Sequence, residues 1–151
     1  MSAAPLDTDR LTSADLPVRF GRYMLLEVLG EGATARVFRA ELQGPAGFRK
    51  PCALKVMRAT ARALGSAESH LLDEARIGGR LLHPNLVETY DVGERDGRLF
   101  VAMQLVDGLT ARQLARAHGP VPGRALAELA RQLAEGLAHK FALLHDGDRL
   151  F

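Results

Sequence analysis

Apolar residues arrive in short bursts from Tyr23 onward, and their spacing changes along the chain. Tyr23-Met24-Leu25-Leu26-Glu27-Val28-Leu29 predicts a strand ending at Gly30. Ala35 to Glu41 alternates around Val37 and Phe38 and predicts a second strand, joined to the first by the turn Gly30-Glu31-Gly32-Ala33-Thr34. Gln43 to Gly47 reads as a loop, and Pro51 to Arg58 as a third strand. Ser66 to Leu82 carries a helical pattern, stopped at His83-Pro84 because proline disfavours helix in the residue before it. Leu86 to Val92 and Leu99 to Leu105 predict two more strands, with a turn at Arg95-Asp96-Gly97. Thr110 to Ala117 predicts a short helix, and Gly119-Pro120-Val121-Pro122-Gly123 interrupts the chain. Arg124 to about Leu144 predicts a long helix with Leu126, Leu129, Ala130, Leu133 and Leu137 on one face.

Five strands with one helix inserted after the third predict an α+β fold, an antiparallel sheet with a helix packed on it. Composition narrows the function classes. The 151 residues are 47% hydrophobic, enough for a core. Lys+Arg 20 against Asp+Glu 18 gives a net charge of +2 without a dense basic run, so no nucleic-acid partner is expected. Cys52 is the single cysteine, which excludes an intramolecular disulfide and a cysteine-rich zinc site and fits a reducing compartment. Met1 to Pro17 is small, polar and aperiodic, reads as a flexible leader, and lacks the apolar run of a signal peptide. No stretch reaches the roughly 18 apolar residues of a membrane helix, so no membrane segment is expected and the expected location is the cytoplasm.

The candidate chemistry begins with the glycines. Gly30-Glu31-Gly32-Ala33-Thr34-Ala35-Arg36-Val37 has the spacing G-x-G-x-x-A-x-V. Such a turn lets backbone N–H groups approach phosphate oxygens, and it also fits an ordinary hairpin. A dinucleotide fold would need a helix directly after the glycines, and here an extended segment follows. A Walker loop would need Gly-Lys followed by Ser or Thr, which the chain lacks. In the third strand Ala53 and Lys55 share a face by the period of 2. Ala53 is small enough for a flat base to pack on it, and Lys55 can then reach phosphates; a surface lysine near a strand end is the plain alternative. In the predicted helix, Leu71, Ala75, Gly78 and Leu82 form an apolar stripe opposite Asp73, Arg76 and Arg80. Glu74 lies at the edge of that stripe beside Leu81. A carboxylate there seeks a cation, since an unpaired buried charge costs several kcal/mol in rough terms, and Lys55 is the natural partner.

Taken together these residues resemble the N-terminal lobe of the protein kinases, most closely the bacterial-type serine/threonine kinases. Phe20-Gly21-Arg22-Tyr23 is similar to the family's lead into the first strand. The loop matches at Gly30, Gly32 and Val37, with Ala35 in place of the third glycine. Ala53-Leu54-Lys55, Glu74-Ala75-Arg76, His83-Pro84-Asn85-Leu86-Val87, Tyr90-Asp91-Val92-Gly93 and the run from Leu99 to Gly108 follow in the family's order. The resemblance implies a domain division: a leader at 1–19, the kinase N-lobe and hinge at 20–108, and the first helices of an incomplete C-lobe at 109–151. It also implies ATP as the ligand. Leu29, Gly30 and Gly32 would line the loop, Val37 and Ala53 would cover the adenine, and Met103 would be the gatekeeper. Backbone groups of Gln104 and Val106 would bond the adenine edge, and Asp107 would face the ribose. Lys55 would hold the phosphates and Glu74 would orient Lys55, so these two are the candidate catalytic residues. A protein substrate or partner is implied as well.

The pattern departs from the family at about Lys140, which falls near the apolar stripe of the long helix, and at Phe141, where the family commonly has histidine. The His-Arg-Asp motif would fall near Gly147-Asp148-Arg149, which does not match, and no Asp-Phe-Gly occurs. Phosphoryl transfer needs the catalytic aspartate, an asparagine and the metal-binding aspartate of those motifs. The family uses magnesium, and no magnesium ligand is identifiable in this sequence. This chain alone is therefore expected to transfer no phosphate. A kinase fragment, a frameshifted product and a degenerate kinase acting as a nucleotide- or protein-binding module all fit. Without a helical lobe to cover it, the leucine stripe of the long helix is expected to remain exposed.

Overall fold

Alternating strands of this kind bury one face at a time, and the chain builds one sheet with two unlike faces. The computed structural model describes residues 5–62 and 66–147. Its elements are β1 (Val18–Phe20), β2 (Tyr23–Glu31), β3 (Ala35–Gln43), β4 (Arg49–Met57), α1 (Ala59–Arg62), α2 (Ser66–Gly78), β5 (Thr89–Arg95), β6 (Arg98–Met103), α3 (Ala111–His118) and α4 (Gly123–Gly147). The sheet has 6 strands in the order β1-β2-β3-β4-β6-β5, every neighbouring pair antiparallel.

The sheet thus has one strand more than the five expected. The extra strand, Val18–Phe20, folds back on β2 through a turn at Gly21, whose φ of 60° suits glycine. The strand is held by burial: Phe20 is 1% exposed and meets the Phe100 ring edge-on at 5.7 Å.

One face of the sheet carries the main core of Phe20, Tyr23, Leu25, Phe38, Ala40, Cys52, Leu54, Val56, Phe100 and Ala102. Leu6, Leu11 and Leu16 pack against it, and Thr8 is buried. The segment expected as a flexible leader is therefore laid over this face from residue 6 onward. Its leucines recur every five residues, which matches neither a helix nor a strand period, so periodicity carried no sign of it. The opposite face carries a smaller cluster of Met57, Val101 and Leu71 of α2, joined by Leu99 and Met103.

Several element ends differ from the sequence expectation. Helix α2 stops at Gly78, not Leu82. Turn bonds from Arg80 N–H to Ile77 O and from Leu81 N–H to Gly78 O follow it, leaving Leu81 buried and Leu82 75% exposed. Gly78 also lies so close to β5 that a Cβ there would stand 2.3 Å from Thr89 Oγ1. Strand β5 starts at Thr89, not Leu86, because residues 83–86 form a turn in which Leu86 N–H bonds His83 O and Asn85 N–H bonds His83 Nδ1. The turn after β5 is where the sequence placed it. Asp96 (φ 53°) and Gly97 (φ 73°) close a two-residue hairpin with both central residues left-handed.

Thr110 caps α3 in a reciprocal box, accepting from Gln113 N–H at 3.2 Å while Thr110 N–H donates to Gln113 Oε1 at 2.8 Å. Helix α4 docks through Asn85, whose Nδ2 donates to Gln132 O at 3.1 Å, and Gly136 packs against Leu86. Its predicted leucine face at 126, 129, 133 and 137 is exposed. No described helix is long and apolar enough to cross a membrane.

Candidate functional site

Register decides which predicted residues meet. Val37 pairs with Lys55 across β3–β4, and Lys55 pairs with Val101 across β4–β6. One step along, Arg39 pairs with Ala53, and Ala53 with Met103. Directly opposed residues in antiparallel strands project to the same face. The ladder therefore brings Val37, Ala53, Lys55 and Met103 together on one face of the sheet. Phe38, Leu54 and Ala102 are opposed in the same way on the other face, which holds the main core.

Helix α2 lies on the Lys55 side, since Val101, the cross-strand partner of Lys55, is clustered with Leu71. Glu74 follows Leu71 by three residues within α2. The Glu74 side chain lies outside the described residues, and so does the expected Lys55–Glu74 contact.

The glycine-rich turn joins β2 to β3 beside this ladder. Gly32 N–H donates to Ala35 O at 2.9 Å and closes the turn. Gly30 pairs with Val37, so a side chain there would project over the ladder. A Cβ on Gly30 would meet no protein atom within 4 Å, and Gly30 is not among the positive-φ residues. Neither backbone conformation nor protein packing demands glycine there. Leu29, at the end of the same strand, is half exposed.

The turn is anchored by two arginines that the sequence reading passed over. Arg58 Nε donates to Gly32 O at 2.9 Å, and its backbone N–H donates to Thr34 O at 2.9 Å. Arg36 Nη2 reaches Glu31 Oε1 at 2.6 Å, while Arg58 approaches the other Glu31 oxygen at 3.4 Å. Arg36 is 4% exposed. A signal existed: with a period of 2, Arg36 shares the face of Phe38 and Ala40, and a cation on an apolar face requires partners.

The chain leaves the sheet after Met103. Gln104 N–H donates to Glu88 O at 2.8 Å, which leaves its carbonyl as the backbone group able to bond a ligand edge. Val106 and Asp107 follow outside any strand and are exposed, so they do not join the cross-strand ladder. Cys52 sits in the core on the far face, where burial pushes its thiol pKa up, the reverse of an activated nucleophile.

The family model described as protein kinase domain matches residues 23–146. The serine/threonine-protein kinase PknD of Mycobacterium tuberculosis is 35% identical over 130 residues, covering 84% of this chain and 19% of PknD. PrkC of Bacillus subtilis is 30% identical over 119 residues, covering 79% of this chain and 18% of PrkC. The crystal structure of the Mycobacterium tuberculosis PknI kinase domain superposes with a TM-score of 0.67 at 30% identity, covering 86% of this chain and 51% of that one. The chain thus spans about half of that kinase domain and about a fifth of PknD and PrkC. The sheet, its packed helix and the sequence match together show that this chain belongs to the protein kinase family, among relatives that are bacterial serine/threonine kinases.

Proposed function

We propose that the chain binds ATP on the Lys55 face of the sheet, as the nucleotide-binding part of a serine/threonine protein kinase. The observation that carries this reading is the ladder joining Val37, Lys55 and Val101, with Ala53 and Met103 alongside, on the side where α2 packs. In this reading Val37 and Ala53 cover the adenine, and Met103 sets the depth of the pocket. The Gln104 carbonyl and the Val106 backbone bond the adenine edge, and Asp107 faces the ribose. Leu29 borders the loop. The open space over Gly30 leaves room for a ligand, and the Gly30–Gly32 backbone faces the phosphates. Lys55 holds the phosphates, and Glu74 orients it from α2.

Transfer of the γ-phosphate to a protein serine or threonine requires the catalytic loop and the Asp-Phe-Gly aspartate, and neither motif is in this sequence. This chain alone is expected to bind ATP weakly, largely independent of metal, and to transfer no phosphate. The same departure supports a second reading, a degenerate kinase that binds nucleotide or a protein partner without transfer.

Titration calorimetry with ATP, with and without magnesium, tests the binding reading. Weak binding that is lost in Lys55→Met is expected. No heat and no thermal shift at millimolar ATP would reject it. Labelled-phosphate transfer by the pure chain, abolished by Lys55→Met, would overturn the expectation of inactivity.

A further inference from the structure

The glycine-rich turn is tied to a part of the chain that no nucleotide role accounts for. Arg36 is buried, yet its guanidinium serves both sides: Nη1 donates to Thr8 O at 2.7 Å, and Nη2 donates to Leu11 O at 2.9 Å and to Glu31 Oε1 at 2.6 Å. Thr8 and Leu11 belong to the N-terminal segment, and Glu31 lies between the two glycines. The segment has a second anchor. Arg98 donates to Asp9 Oδ2 at 2.6 Å and to Asp7 Oδ1 at 2.7 Å, and its side chain is only 10% exposed. Asp9 Oδ2 also accepts from Ala59 N–H at 3.1 Å, just after Arg58. Burial raises the Asp9 pKa, but the hydrogen bonds from Arg98 and Ala59 and the charges of Arg98 and Arg58 outweigh it, holding this carboxyl below the usual range.

We infer that residues 7–11 brace the glycine-rich turn, with Arg36 as the positioning residue that couples this segment to Glu31. A guanidinium fits the task because its fixed fork holds several acceptors at set angles, which an ammonium cannot do. Thr8 O and Leu11 O fix the fork from one side, and the fork fixes the Glu31 carboxylate on the other. Arg58, placed next to the Asp9-bound Ala59, holds the Gly32 carbonyl. The turn that approaches the phosphates is thereby held in one shape before any ligand arrives, which lowers the ordering cost of binding. This inference goes deeper into the nucleotide reading, but its first readout needs no nucleotide.

The test is amide hydrogen exchange on the 151-residue chain without ligand, comparing wild type with Arg36→Lys and with the double variant Asp7→Asn/Asp9→Asn. Leu25→Ala, a core change in the same sheet that is opposed to Val18 and Ala40 and not to Arg36, serves as the control for general loosening. Exchange in residues 31–35 is expected to rise about tenfold or more in both brace variants, the size expected when a charged hydrogen bond is lost, with the β2–β3 ladder at Tyr23–Leu25 unchanged. The Leu25→Ala control should raise exchange across the sheet without favouring the turn. Should Arg36→Lys fail to fold, the Asp7/Asp9 variant, altered at partly exposed carboxylates, still decides the matter. Faster exchange in residues 6–12 with the turn unchanged would overturn the inference and leave the segment as a cover for the core alone. In a second arm the brace variants should weaken ATP binding by a similar factor. If wild type binds no ATP but the turn still responds, the nucleotide reading fails and the brace stands. If wild type binds ATP and neither turn exchange nor affinity changes, the brace fails and the nucleotide reading stands.

Discussion

Lys55 and Val101 stand directly opposite each other in the β4–β6 ladder, and Val101 is packed with Leu71 of α2. The lysine and the helix are therefore joined through one cross-strand neighbour. Leu71 is 4% exposed, so Leu71→Ala is expected to destabilise the chain by about 2–5 kcal/mol through lost contacts and the cavity left behind. Urea denaturation measures this directly. A change below about 0.5 kcal/mol, the range of ordinary surface substitutions, would mean that α2 is not docked on the Lys55 face.

Gly78 offers a test of opposite sign to helix propensity. Alanine in place of glycine within a helix ordinarily stabilises by up to about 1 kcal/mol. Here the new Cβ would lie 2.3 Å from Thr89 Oγ1 and 3.3 Å from Thr89 Cβ. Gly78→Ala is expected to destabilise by about 1–3 kcal/mol from overpacking, and Thr89→Ala in the same chain should relieve much of that loss. A stabilised single variant in thermal melts would contradict the close approach of α2 and β5.

Acid stability should depend on Asp91. Its carboxylate accepts from Tyr23 OH at 2.6 Å and from Arg22 Nη2 at 2.7 Å, tying β5 to the start of β2. Burial raises its pKa, but these bonds, the Arg22 charge and a Val92 backbone bond outweigh it, leaving it below the ordinary 3.8 of an aspartate. A depressed folded pKa contributes stability that is present above 3.8 and lost as pH falls through the lower folded value. Asp91→Asn should therefore flatten the acid limb of a pH–stability curve. Tyr23 acts at the other end. Burial and its bond to Asp91 raise its pKa above 10.0, so the unfolded chain ionises first and stability should fall above that pH. Chemical denaturation from pH 2 to 11 reads both limbs.

Asn85 holds α4 to the turn after α2, through Gln132 O at 3.1 Å and Glu135 Oε2 at 3.4 Å. Asn85→Ala should cost about 1 kcal/mol, and the loss should be local. Hydrogen exchange is expected to quicken in residues 130–140 while β3 and β4 stay protected. Equal quickening in the sheet would show that the helix and sheet open together.

Leu126, Leu133, Leu137 and Phe141 are each at least half exposed on α4, at 58%, 65%, 50% and 57%. An apolar stripe of this kind favours association and binds apolar dyes. The 151-residue chain should enhance the fluorescence of such a dye and self-associate at micromolar concentration. Leu133→Lys/Leu137→Lys should reduce both signals with little change in stability, since neither side chain is buried. A monomer that binds no dye would count against the exposed stripe.

The physical limits of reading a sequence show at particular residues. Tyr23 to Leu29, Ala35 to Glu41 and the Asp96-Gly97 turn were legible because strand alternation and left-handed turn residues are local properties. Ala53, Lys55 and Val37 were legible as candidates because motif order is written along the chain. The end of α2 was signalled locally by the Gly78-Gly79 pair, though the proline at 84 was read as the stop; the close approach of Gly78 to Thr89, eleven residues away, was not legible. Strand β1 and the packing of Leu6, Leu11 and Leu16 were missed for the same kind of reason: short aperiodic segments become ordered only when a sheet face needs cover.

The sequence by itself determined the strand and helix order, the glycine-rich turn, the kinship with kinases and the lack of the catalytic-loop motifs. Those are properties of residue type and spacing. Only the tertiary structure decided that Val37, Lys55 and Val101 share one face, because a one-residue change of register would turn each of them to the other side. It alone also decided the role of Arg36, whose partners lie at positions 8, 11 and 31 and are brought within hydrogen-bond reach by the packing of the N-terminal segment across the sheet.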